Sequence, residues 1–132
     1  MRTINYITTR FPLNILMALI VISACPSLAS EPTQAITLTL GGYHFTPDKF
    51  EVTAGQPVRL TLTNTDTITP HNLIMKNEAA GLNIDIDVSA GKTSIVEFTP
   101  TTPGSYTFYC SKKLPFMKSH QEKGMEGTLT VK

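Results

Sequence analysis

The sequence is poor in cysteine: it has 2 among 132 residues, Cys25 and Cys110. Cys25 lies in an N-terminal apolar stretch, so the body of the chain is left with one thiol and a disulfide framework is excluded. Long apolar runs are missing too. The stretch from Leu13 to Ala24 is interrupted by Asn14 and Ser23 and is too short for a membrane-spanning helix, which needs roughly 20 residues. Neither sign of charge is in excess. From Ser30 onward there are 9 Lys and Arg against 10 Asp and Glu, which gives no electrostatic footprint for nucleic acid or an anionic membrane. No long amphipathic helical pattern, internal repeat or low-complexity tract is present, so helix bundles and repeat arrays are excluded.

What is present begins with a leader. Met1 to Arg10 contains Arg2 and Arg10 and no acidic residue, the apolar run follows, and Pro26-Ser27-Leu28-Ala29 supplies small residues. That is the pattern of a secretory signal peptide over residues 1–29, cut after Ala29. The protein is therefore expected to be exported, to the periplasm in the first reading. Ile22-Ser23-Ala24-Cys25 is similar to the lipobox of bacterial lipoproteins, which makes a lipid anchor through Cys25 the alternative. On either route Cys25 does not enter the folded domain as a free thiol. The mature chain is expected to have no membrane span and to be a monomer, with residues 30–35 as a linker and 36–132 as one domain.

Within that domain the apolar period is two. Ile36 to Leu40, Val58 to Thr63 and Ile84 to Val88 alternate apolar and polar residues, as half-buried strands do. Tyr43 to Phe45 resumes the first strand after Gly41-Gly42, further strands are expected near Phe50–Thr53, His71–Met75, Thr93–Thr99, Ser105–Cys110 and Gly127–Val131, and Asn77 to Leu82 is a loop or a short helical turn. Gly and Pro punctuate the intervals. The pattern predicts an all-β fold, a Greek-key antiparallel β-sandwich of seven to eight strands.

Four residues suggest a metal site. The strand at Ser105–Cys110 ends on the only mature thiol, His120 and Met125 follow on one loop, and His71 stands after Pro70 where another strand begins. Two imidazoles and a thiolate in a plane, with a weak axial thioether, describe a type 1 blue-copper centre holding one copper ion. Taken singly, each of these residues has a plainer reading. His44 is read as a surface histidine and Met75 as core filler. Zinc accepts two His and one Cys but has little use for a thioether. A Cys–His hydrolase is the competing enzyme, yet no nucleophile motif surrounds Cys110.

These residues sit in motifs that resemble the cupredoxins, the small blue copper proteins that include plastocyanin and azurin. The resemblance spans Phe-Thr-Pro47, Phe50 to Gly55, Pro70-His71-Asn72, Pro103 to Ser111 and Gly124 to Val131. It implies His71, Cys110 and His120 as equatorial copper ligands and Met125 as the axial one. It further implies that Asn72 and Ser111 hold the ligand loops together by hydrogen bonds. The chain departs from the family between Cys110 and His120, where nine residues, Ser111 to Ser119, replace a short connection. The insertion makes Met117 a second candidate for the axial position and is expected to add a turn over the site.

The function expected is that of a non-enzymatic single-electron carrier cycling Cu(II) and Cu(I). A copper chaperone or store, and a metal-free β-sandwich interaction module, are the alternatives. Lys112, Lys113, Leu114, Phe116 and Lys118, with Tyr109, form the expected docking surface for a transient redox protein partner, and Lys123 adds to the positive charge of that loop.

Overall fold

The computed structural model describes residues 32–132. The expected signal peptide, the lipobox-like stretch around Cys25 and the first residues of the expected linker lie outside that range. Nine strands run in order: β1 (Gln34–Gly41), β2 (His44–Thr46), β3 (Lys49–Val52), β4 (Val58–Asn64), β5 (His71–Asn77), β6 (Leu82–Val88), β7 (Thr93–Phe98), β8 (Gly104–Tyr109) and β9 (Glu126–Val131). Single 3-10 turns lie at Glu78–Ala80 and Gln121–Lys123. Among the described residues no helix is long and apolar enough to cross a membrane.

The strands form two sheets, ordered β2-β1-β4-β7 and β3-β9-β8-β5-β6, packed as a sandwich. Two expectations are corrected here. There are nine strands rather than seven to eight, because the three residues of β2 pair with β1 as a strand of their own. The sheets are mixed rather than wholly antiparallel: β1 pairs β4 in parallel, and β3 pairs β9 in parallel. Apolar alternation reports which face is buried and says nothing of direction. Direction here follows from the crossovers. After the β1–β2 hairpin the chain passes to the other sheet for β3, then returns and lays β4 beside β1, running the same way. Gln34 and Ala35 are already strand residues, in register with Val58 and Arg59.

Alternation puts Leu38 and Leu40 of β1, and Leu60 and Leu62 of β4, into the space between the sheets, all fully buried. Leu73 and Met75 of β5, Phe108 of β8 and Leu129 of β9 meet them from the second sheet. Met75 is thus core and His44 is exposed. Phe108 sits edge-on to Phe45 at 5.1 Å between ring centroids and tilted against Phe50 at 5.5 Å. Offset and edge-on aromatic contacts of this kind add about 0.5–1.5 kcal/mol beyond area burial. The outer faces carry exposed pairs such as Arg59–Glu97 across β4 and β7, at 2.6 Å, which contribute little because water screens them.

Candidate metal centre

The core anchors two strand ends at the same edge of the sandwich. β5 begins with His71 directly after Pro70, a residue that holds its predecessor extended and cannot itself donate to a ladder. β8 runs out at Tyr109, and alternation turns the next residue, Cys110, toward the interior with Phe108. His71 and Cys110 are both fully buried, and His120 is 5 % exposed. A set of backbone hydrogen bonds closes the remaining loop on them. Cys110 N donates to Met125 O at 3.0 Å, Gln121 N to Cys110 O at 3.1 Å, and Met125 N to His120 O at 3.0 Å.

The inserted residues do not separate Cys110 from His120 in space. His120 N donates to Lys112 O at 2.8 Å, so the loop leaves at Lys112 and comes back beside it. Ser119 and Glu122 close the return: Ser119 N donates to Glu122 Oε2 at 2.6 Å and Glu122 N to Ser119 Oγ at 3.1 Å. This reciprocal pair is a capping box, and Ser-x-x-Glu was its unread signature in the sequence. The Ser119 backbone N–H also holds the Glu122 carboxyl below its ordinary pKa. At the tip, Met117 N donates to Leu114 O at 3.2 Å. Pro115 in second place and Phe116 at φ 63° in third make the pattern of a type II turn, where glycine is the usual third residue. The expected extra turn is therefore present, and it projects Phe116 wholly into solvent.

Three donor atoms converge. His71 Nδ1 lies 3.1 Å from His120 Nδ1, and Cys110 Sγ lies 3.8 Å from the first and 3.4 Å from the second. The point equidistant from all three is about 2.0 Å from each, the length of a metal–imidazole nitrogen bond and slightly short of a metal–thiolate bond. The three residues form a cluster able to hold a metal ion. Burial raises the Cys110 thiol pKa. Burial, and next the neighbouring His71, lower that of His120. The neutral form of the His120 imidazole is thus favoured, while a thiolate needs a cation to form. A bound metal supplies one and releases the proton.

The flanking residues fix these donors. Asn72 N donates to Cys110 Sγ at 3.4 Å, Asn72 Nδ2 to Ser111 Oγ at 3.0 Å, and Ser111 N to Asn72 Oδ1 at 2.8 Å. Asn72 and Ser111 thereby tie the start of β5 to the end of β8. Met125 is fully buried next to both Cys110 and His120 in the backbone network, whereas Met117 is 47 % exposed.

Three residues of the site were not singled out in the sequence. Tyr43, at φ 65°, lays its ring edge-on to His120 at 4.8 Å between centroids, with Lys123 Nζ over the Tyr43 ring, 3.9 Å from its centre. Asp66 Oδ2 is 2.8 Å from His71 Nε2. That contact, with help from the Gly42 N–H, holds the Asp66 carboxyl below its ordinary pKa against the opposing effect of burial. Asn64, buried at the end of β4, donates to Thr69 O at 2.9 Å and Val88 O at 3.0 Å and accepts from Asp66 N at 3.0 Å. It shapes the loop that presents Asp66.

An apolar cleft opens over the site, with His120 in its floor. Tyr43, Ile68, Pro70, Leu114 and Met117 line it, and Lys112, Lys113, Lys118 and Lys123 stand around it. Two members of the expected docking set are not free there: one lies on another face and one is paired. Tyr109 is half-buried on the opposite face of β8 from Phe108, and Lys112 is held by Asp87 at 2.6 Å.

The family model described as the cupredoxin-like domain matches residues 13–131. The chain belongs to that family. Plastocyanin of the fern Dryopteris crassirhizoma is 31% identical over 105 residues, covering 70% of this chain and 92% of its own. Plastocyanin of Prochlorothrix hollandica is 30% identical over 120 residues, covering 85% and 81%. In three dimensions the chain shares the fold of auracyanin from Roseiflexus castenholzii, with a TM-score of 0.60, 24% identity and coverage of 75% and 97%.

Proposed function

We propose that this cupredoxin binds one copper ion through His71 Nδ1, Cys110 Sγ and His120 Nδ1, with Met125 on the axis, and carries single electrons between exported redox proteins. The observation that supports this most is the triangle of two imidazole nitrogens and one sulfur, buried and pre-closed by backbone hydrogen bonds. Copper bound there supplies a one-electron Cu(II)/Cu(I) couple. A donor set with a weak axial thioether suits both oxidation states and needs little movement between them. Burial of Met125 against the exposure of Met117 favours Met125 for that axial role. The chain itself contributes rigidity, exclusion of water and an exit. His120 lies in the floor of the cleft, so its ring is the shortest route from the site to a partner. No bond-making step is assigned to it, and it is read as a carrier rather than an enzyme. Addition of Cu(II) to the purified metal-free protein tests the reading. An intense visible band and the EPR spectrum of a type 1 centre, at one copper per chain, are expected; a colourless protein with an ordinary tetragonal Cu(II) signal would remove it.

The cleft also supports a partner. Leu114, Ile68 and Phe116 are exposed, the last at 108 %, and the four charged residues that line the cleft are all lysines, one of them paired with Asp87. Apolar contact inside a ring of one charge sign suits a transient complex with an acidic protein, in which charge complementarity mainly raises the association rate. Changing Lys113 and Lys118 to Gln leaves the Lys112–Asp87 pair intact. Electron transfer to the physiological partner is expected to slow with ionic strength for the wild type, since exposed charges are screened within about 8 Å at physiological salt. The double variant should have a flatter dependence and an unchanged spectrum in stopped-flow measurements. Equal salt slopes for the two proteins would leave the inserted loop as a cover only.

A further inference from the structure

We infer that Asp66 is a positioning residue of the metal centre, which fixes the ring of His71 and sets the balance between the two copper oxidation states. The inference rests on the copper reading above for its second half only. His71 offers two ring nitrogens. Nδ1 points at Cys110 and His120, and Nε2 points away from them, 2.8 Å from Asp66 Oδ2. An ionised carboxylate only accepts hydrogen bonds. Nε2 must then be the protonated nitrogen, which leaves the Nδ1 lone pair aimed into the triangle. His71 is therefore already in its metal-binding tautomer before any metal arrives.

The carboxylate is itself held in place. Gly42 N donates to Asp66 Oδ1 at 3.1 Å and reaches Oδ2 at 3.3 Å, and Asp66 N donates to Asn64 Oδ1 at 3.0 Å. The loop from Asn64 to Pro70 thus grips its Asp at both ends, and the loop is closed in turn by Asn64 on Thr69 and Val88. Its side chain is 28% exposed and that of His71 is wholly buried, so part of the negative charge is sensed through a ring shielded from water. A carboxylate bound to the far nitrogen of a metal-binding histidine makes that ring a stronger donor. Added electron density and a fixed negative charge favour Cu(II) over Cu(I). Asp66 should hold the reduction potential down.

The test uses the wild type, Asp66→Asn and Asp66→Ala. An Asn oxygen in the place of Oδ2 keeps the hydrogen bond from His71 and loses the charge, while the amide nitrogen, in the place of Oδ1, gives up the shorter bond from Gly42 N. Asp66→Asn is expected to lower the preference for Cu(II) over Cu(I) about tenfold, the low end of what losing such a partner does, or about 59 mV upward for a one-electron couple. Its visible and EPR spectra should stay those of the wild type. Asp66→Ala should move the potential the same way. In the metal-free proteins, nitrogen-15 NMR of the His71 ring should find the proton on Nε2 in the wild type and a mixture of tautomers in Asp66→Ala. A wild-type ring protonated on Nδ1 would overturn the positioning role. Unchanged potentials in both variants, with a blue wild type, would overturn the tuning role. A wild type that takes up no copper would refute the copper reading and with it the tuning role, and the ring measurement would still decide the positioning role.

Discussion

Cys110→Ser is expected to abolish the visible band completely while leaving a folded domain. The thiol is buried at the end of β8, and its sulfur accepts a backbone hydrogen bond from Asn72 N at 3.4 Å. A serine hydroxyl is smaller and can keep that bond, so no strand is disturbed. Replacing a weakly polar thiol by a hydroxyl in this setting should lower the stability of the metal-free domain by about 1–3 kcal/mol. The colour is a different matter, because it comes from the bond between copper and thiolate. Copper still held by His71 and His120 would give only a weak absorption and the EPR spectrum of nitrogen and oxygen ligation. A second reading of the same variant comes from melting. Metal that binds only the native state raises its stability, so the rise in Tm on copper addition should be clear in the wild type and much reduced in the variant. Visible and EPR spectra, with circular dichroism to confirm the fold, check all three points. An intense band that survives the substitution would take Cys110 out of the site and end the copper reading.

Much of this was legible from residue order, for a reason that differs from element to element. Val58 to Thr63 alternates strictly, and β4 buries Val58, Leu60 and Leu62 as that period requires. The parallel pairing of β4 with β1 left no trace in the same residues, because pairing direction is decided by where the chain crosses between sheets. At the centre, His71, Cys110 and His120 were found because each stands at a strand end or on the joining loop, where the fold must bring loops together. Asp66 was hidden among polar loop residues that read as solvated. Its contact with His71 exists only because the buried Asn64 folds that loop back. The inserted residues misled in the opposite direction. Nine positions look like a wide gap along the chain, yet the hydrogen bond from His120 N to Lys112 O closes it. Lys112 was read as a free docking charge, and its ion pair with Asp87 joins residues too far apart in sequence to be matched by inspection.

Gly127→Ala is expected to have the largest effect on stability of any single methyl added to this domain's second sheet. Gly127 pairs with Phe108 across β8 and β9. A Cβ placed on it would run into the Phe108 ring and the Asp48 carbonyl oxygen, both well inside contact distance. Neither can yield easily. The Phe108 ring is fully buried and wedged against Phe45 and Phe50. The Asp48 carbonyl accepts from Thr128 N at 2.8 Å, beside the β3–β9 pairing. Overpacking a fixed core typically costs about 1–3 kcal/mol and sometimes more, and in a domain of this size each kcal/mol lowers Tm by roughly 4–8 °C. The strain falls next to the metal centre. Phe108 lies two residues before Cys110, and Gly127 two residues after Met125, so relief by sliding β8 against β9 would move a proposed equatorial and a proposed axial ligand together. Urea unfolding of the metal-free protein should show a lowered midpoint with little change in slope. Shortening the obstructing ring should restore part of the loss, so the double variant Gly127→Ala with Phe108→Leu should fall short of the sum of the two single effects. Stabilities that simply add would mean that the methyl finds room elsewhere, and that the close approach of β9 to Phe108 does not limit this sheet.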